Sequence, residues 1–162
     1  MALAKTHDLV NLTALPLFLY LIPKEFYLPF AAGYVFGTFF LSPDIDLPGS
    51  RPSKRWSVLK CIWTPYQTLS RHRGISHLPL IGSFLRLIYL ICALVFLYFT
   101  LLGVVATLDR GLGYVLSSFN PFELLHSFFT SGASLYVVAG IVAADVVHVI
   151  FDMLWSIFRR VI

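Results

Sequence analysis

The amino-acid sequence predicts an all-α, polytopic membrane protein: about four membrane-inserted helices plus an interfacial amphipathic helix, in a single domain over residues 1–162. Three observations carry that reading. Apolar residues make up 58% of the chain and charged residues only 12%, against about 45–50% and 25% in ordinary soluble domains. The apolar residues fall in long runs separated by Pro-, Gly- or charge-marked breaks, as bilayer helices do. The length, 162 residues, fits one such unit.

The first apolar run, Leu9 to Ile22, and the second, Phe26 to Leu41, fall short of the roughly 20 residues that cross a bilayer. They are expected either as short spans or as a hairpin that dips in and returns about Pro23-Lys24-Glu25. Both arrangements bring the chain back to the same side at Ser42. Residues 43–74 are polar, basic and broken by Pro43, Pro48, Gly49, Pro52 and Pro65, and read as an extramembrane loop. Within it Trp56, Leu59, Ile62, Trp63, Tyr66 and Leu69 recur at helical spacing, which suggests an interfacial amphipathic helix with both tryptophans at headgroup depth. A plain surface helix of the loop fits the same spacing.

From Ile75 to Leu108 the chain is almost unbroken apolar, about 50 Å if helical. The excess over a hydrocarbon core of about 30 Å is expected to project on the loop side and carry His77 out of lipid. Asp109 to Gly132 reads as an interfacial or re-entrant connector. Ala133 to Phe158 is the last span, closed by Arg159-Arg160.

Basic residues set the expected orientation. Lys5, Arg51, Lys54, Arg55, Lys60, Arg71, Arg73, Arg159 and Arg160 fall on one side, Lys24 and Arg110 on the other, and Arg86 within a span. Nine against two places the large loop and both termini in the cytoplasm, as for a bacterial-type inner-membrane protein. The net charge of +4 accompanies no recognition-helix or RNP pattern, so membrane phosphates rather than nucleic acid are the expected partner. Leu21-Ile22-Pro23-Lys24 offers no small-x-small cleavage site, against a cleaved signal peptide. Cys61 and Cys92 are too few for a disulfide framework or a cysteine-type zinc site and are expected as free thiols. The four apolar segments differ in length and content, which gives an inverted-repeat transporter no support.

The ionisable residues that accompany so apolar a chain demand an explanation, because charge at membrane depth costs several kcal/mol unless paired or metal-bound. On the predicted topology His7 opens the first segment, Asp44 and Asp46 close the second, His72 and His77 open the third, and His148 and Asp152 lie in the cytoplasmic half of the fourth. All fall at one depth on one side. Asp145, His148 and Asp152 stand at i, i+3 and i+7, on a stripe about 60° wide. An imidazole and a carboxylate at i and i+4 can share one ion, as zinc or di-metal sites require. The set exceeds what one ion needs, which favours two divalent ions, zinc first and manganese second. Each group also has a plainer reading: a helix start for His7-Asp8, turn residues for Asp44 and Asp46, a headgroup-facing basic loop for His72. Glu123 and His126, in the connector, stand apart from the cluster. Arg71 and Arg73, with Arg51, are candidates to bind phosphate oxygens, and Asp145 to accept a proton.

Thr6-His7-Asp8, Leu41-Ser42-Pro43-Asp44-Ile45-Asp46-Leu47, Ile62-Trp63-Thr64-Pro65-Tyr66-Gln67 and His72-Arg73-Gly74-Ile75-Ser76-His77 resemble a family of uncharacterised membrane proteins described as metal-binding. The resemblance covers residues 5–90, with a looser match at His148 to Asp152. That family is similar in turn to membrane-bound metal-dependent hydrolases and, more remotely, to zinc-dependent phospholipase C and P1 nuclease. The resemblance implies metal ligands at His7, Asp44, Asp46, His72, His77, His148 and Asp152. The sequence shows no N-terminal tryptophan and no acidic third-metal cluster of the phospholipase type. The expected function is a membrane-embedded phosphoesterase acting on a lipid or isoprenoid phosphate at the cytoplasmic face. The alternative is a non-enzymatic metal-binding membrane protein, a sensor or transporter.

Overall fold

The computed structural model describes residues 4–70, 74 and 77–161, with side chains for 6–70, 74 and 77–158. Among the described residues there are helices, turns and no strands. α1 (Ala4–Leu21) reverses at Pro23 through a 3-10 turn, Lys24–Phe26, into α2 (Tyr27–Phe39). At 18 and 13 residues the two are about 27 and 20 Å long, a short hairpin rather than two full spans. Only α5 (Pro79–Leu108) and α8 (Gly132–Val161) among the described helices are long and apolar enough to cross a membrane.

α2 and α8 form the closest helix pair. Gly33 lies against Val137 and Gly37 against Ile141, one turn on in both chains, so the helices run parallel. A Cβ on Gly33 would run into the Val137 carbonyl, and one on Gly140 into the Phe30 carbonyl. Gly33-x-x-x-Gly37 on one helix and Gly140-x-x-x-Ala144 on the other make the small-residue seam that lets the backbones approach closely. Beside it α5 runs antiparallel to α8, with Arg86 on Asp145 and Leu90 in one cluster with Ile141. In that register Gly132 stands level with residues near Phe99, and α5 continues roughly 14 Å further. α5 thus outreaches α8 at the end away from the loop.

The connector after α5 is two short capped helices. Asp109 caps α6 (Arg110–Ser117), accepting from the Gly111 and Leu112 amides, and Asn120 caps α7 (Pro121–Thr130) in the same way. α6 folds back along α5: a Cβ on Gly113 would stand 2.7 Å from Ala106 Cα, and Tyr98 donates to the Leu116 and Phe119 carbonyls at 2.9 and 2.7 Å. Helices of 8 and 10 residues are each too short to span about 30 Å.

The loop is not one amphipathic helix. It folds as a 3-10 turn (Pro43–Asp46), α3 (Arg51–Arg55), a 3-10 stretch (Ser57–Trp63) and α4 (Thr64–Leu69). Ser57 takes a left-handed φ of 50°, which ends α3, and Pro65 starts α4. That break turns the aromatics inward. Trp63 is fully buried, with Trp56, Tyr66 and Tyr89 at 5.4, 5.8 and 5.5 Å, and the half-buried Trp56 donates to the Phe40 carbonyl at 2.9 Å. The tryptophans build a protein core under the aspartate turn instead of meeting headgroups. Val58, Leu59 and Leu69 are the apolar residues that this segment exposes.

Gly140→Leu should destabilise at or above the upper end of the about 1–3 kcal/mol typical of overpacking, since the obstacle is backbone. Gly103→Leu, where nothing lies within 4 Å, should be neutral. Thermal melts of both variants in detergent provide the comparison, and equal melting temperatures would refute the close α2–α8 seam.

Candidate metal centre

Four segments deliver the ligand-type side chains. His7 sits in the first turn of α1 that is described in full, Asp44 and Asp46 in the 3-10 turn, His77 just before α5, and His148 and Asp152 on α8. Local chemistry fixes each. Pro43 starts the turn, and the Gln67 amide of α4 donates to the Ile45 carbonyl at 2.8 Å, clamping the residue between the aspartates. The His77 amide donates to the Gly74 carbonyl at 3.0 Å. The start of α1 is pinned by Asp8, which accepts from the Arg55 guanidinium at 2.5 and 3.3 Å, while Arg55 also reaches the Phe39 carbonyl and lies over the Phe39 ring.

The side chains converge. Asp44 Oδ1 stands 3.6 Å from His77 Nε2 and 3.7 Å from His148 Nε2. His7 Nε2 stands 3.3 Å from Asp152 Oδ1, and its ring stacks on His148 with centroids 4.2 Å apart. Two triads result, Asp44–His77–His148 and His7–His148–Asp152, each with its ligand atoms within 4.8 Å of one another, sharing His148. Asp44 Oδ1, His148 Nε2, His7 Nδ1 and Asp152 Oδ1 are buried atoms with no hydrogen-bond partner. Such atoms are rare and call for a ligand. Ligands held by zinc at 2.0–2.1 Å in a tetrahedron stand about 3.3 Å apart, so the first triad is slightly wider than a loaded site and fits a divalent ion.

Asp46 plays a different part from Asp44. Its Oδ2 lies 3.7 Å from His77 Nδ1, on the side of the ring away from Asp44. That is the place an outer carboxylate would take behind a metal-bound imidazole, where it would fix tautomer and ring orientation. Burial pushes the Asp44 carboxyl up, but the His148 and His77 imidazoles hold it well below the usual carboxylate range. It is the anionic centre of the first triad.

Of the residues expected at the site, His7, Asp44, His77, His148 and Asp152 are brought together, with Asp46 one step behind. Asp145 is not beside the triads as a free base: it is buried and accepts from Arg86 and Ser83. His72, Arg71 and Arg73 lie outside the described residues. Arg51 is exposed on α3, and Glu123 and His126 are exposed on α7, away from the cluster. Sequence reasoning missed the Asp8–Arg55 pin, which carries no local spacing signal. It also left the partner of Arg86 open. Cys61 and Cys92 are free and exposed.

Fold and centre together define an all-helical protein with a buried histidine–aspartate cluster suited to a metal ion. The chain belongs to the family described as "Uncharacterized metal-binding protein (DUF2227)", whose match covers residues 2–162. It is 43% identical over 143 residues to an "Uncharacterized protein" of Aquifex aeolicus (strain VF5), covering 86% of this chain and 99% of that one. No solved structure matches it.

Metal analysis of detergent-purified protein should find divalent metal in the wild type, a strong loss in Asp44→Asn, and the largest loss in His148→Ala, since both triads share it. His126→Ala should keep wild-type content; equal content in all three variants would place the metal elsewhere. Asp46→Asn should weaken affinity about 10–100-fold without abolishing binding, the usual cost of an outer carboxylate. An unchanged dissociation constant would refute that role.

Proposed function

We propose that the protein is a membrane-embedded, divalent-metal-dependent hydrolase of phosphoesters, acting on a lipid or isoprenoid phosphate at the cytoplasmic face. The observation that supports this most is the pair of carboxylate–imidazole triads side by side about His148, with no thiolate among the ligands. Mixed nitrogen and oxygen ligands in adjacent sets are the pattern of two-ion phosphoester chemistry. Asp44, His77 and His148 would hold the first ion. His7 and Asp152 would contribute to a second, joined by His72, which the sequence order assigns to the same set. Tetrahedral spacing and three imidazoles favour zinc, with manganese as the alternative.

Bound there, a divalent ion supplies Lewis-acid polarisation of a phosphoryl oxygen and a lower pKa for water. The chain's own groups do the rest. Asp46 orients His77. Asp145, expected as a proton acceptor, is instead engaged by Arg86 and Ser83. Arg71 and Arg73, in the segment leading to His77, would meet the phosphoryl oxygens. Membrane embedding is supported by α5 and α8, whose most apolar stretches are only 6% and 28% buried, an exposure far beyond what water tolerates. The bias of basic residues is what supports a cytoplasmic centre. Lipid is the expected partner, and nucleic acid is not.

A second reading, metal binding without catalysis, is favoured by closure of the centre: His7, Asp46 and His148 are 5%, 2% and 3% exposed. A panel of lipid and soluble phosphoesters separates the two. The hydrolase reading expects turnover that is abolished by chelation, restored by zinc or manganese, and lowered at least 100-fold in Asp44→Asn. Metal-loaded protein that turns over no phosphoester would sink it in favour of the second reading.

A further inference from the structure

We propose that Arg86 is the positioning residue of the first ligand triad, one guanidinium that sets the mutual placement of the three segments carrying Asp44, His77 and His148. This rests on the metal-binding reading of the centre but not on hydrolysis. Arg86 is fully buried on α5, nine residues on from His77. Its Nε donates to the Leu41 carbonyl at 2.9 Å, three residues before Asp44. Its Nη2 donates to Asp145, one turn before His148 on the same face of α8. Each arm thus ends a few residues from one ligand, and the stem belongs to α5, which begins two residues after the third.

The contacts have separate physical reasons. Leu41 follows the last turn of α2, where carbonyls lose their helical partners, and a cation at a helix C-terminus is favourable. The Asp145 carboxylate is 1% exposed and would be an unanswered charge without Arg86. The Ser83 hydroxyl, one turn before Arg86 on α5, also donates to Asp145, so α5 grips α8 twice. Planar and forked, guanidinium reaches two acceptors in fixed directions; an ammonium carries the charge without the fork.

The test uses the full chain in detergent with cobalt or zinc alone as probe. Arg86→Lys should lower metal affinity at least 10-fold and alter the visible spectrum of bound cobalt, which reports ligand geometry. Arg86→Met with Asp145→Leu removes both charges, and well-packed apolar replacement of a buried ion pair commonly preserves folding; this folded variant should still bind weakly with an altered spectrum. Wild-type affinity and spectrum in it would overturn the positioning role while leaving the metal site standing. A wild type that takes up neither metal would overturn the metal reading itself, and a weak-binding variant with the wild-type cobalt spectrum would count against positioning.

Discussion

Backbone contact between α2 and α8 is the constraint on which the rest depends. α2 is too short to place its end by spanning, so the position of the Ser42–Asp46 turn is set by where α2 rests on its partner. Gly33, Gly37 and Gly140 let the two axes approach until carbonyls occupy the space of missing side chains. In the parallel register that pairs Gly37 with Ile141, the end of α2 stands level with the middle of α8, a turn or so before His148. The turn that follows α2 therefore arrives beside His148, and α1, packed on both, brings His7 against the same ring.

Charge explains why that meeting is not merely tolerated. Asp145 is answered by Arg86 and Asp8 by Arg55. Asp44, Asp46 and Asp152 then face His7, His77 and His148 with spacings of 3.3–3.7 Å. Most of these exceed a good hydrogen bond, yet within each triad the ligand atoms lie close enough together to share one small cation. An ion pair optimised for stability would close such gaps. Spacings of this size are compatible with a divalent ion between the groups, and a carboxylate placed behind an imidazole, as Asp46 is behind His77, suits such a site.

Much of this was legible in the sequence. Composition and run length gave helices, and the proposed topology put the ligand-type residues at one depth before any contact was known; five of them do meet. The i, i+3, i+7 stripe of α8 was real, but it splits: His148 and Asp152 turn to the centre, and Asp145 turns to α5. Periodicity places residues on a face and says nothing about which neighbour that face meets. The loop was misread for a related reason. Trp56 to Leu69 has helical spacing, but a left-handed Ser57 and Pro65 break it, and no periodicity count registers one residue's φ. The glycine seam was visible as G-x-x-x-G, a spacing that carries meaning only when a second small-residue helix is in view.

The uneven reach of α5 follows from the same geometry. α8 begins level with residues near Phe99 of α5, so the outer turns of α5 have only α6 to pack on, and Leu101, Val104 and Leu108 remain exposed. At the opposite end α5 starts within two residues of His77, leaving no spare turn between the apolar helix and the ligands. The centre is thus tied to one rim of the bundle by construction: α5 cannot slide outward without breaking the Arg86 contacts to Leu41 and Asp145. The turns of α5 that outreach α8 lie at the far rim, where no ligand depends on them.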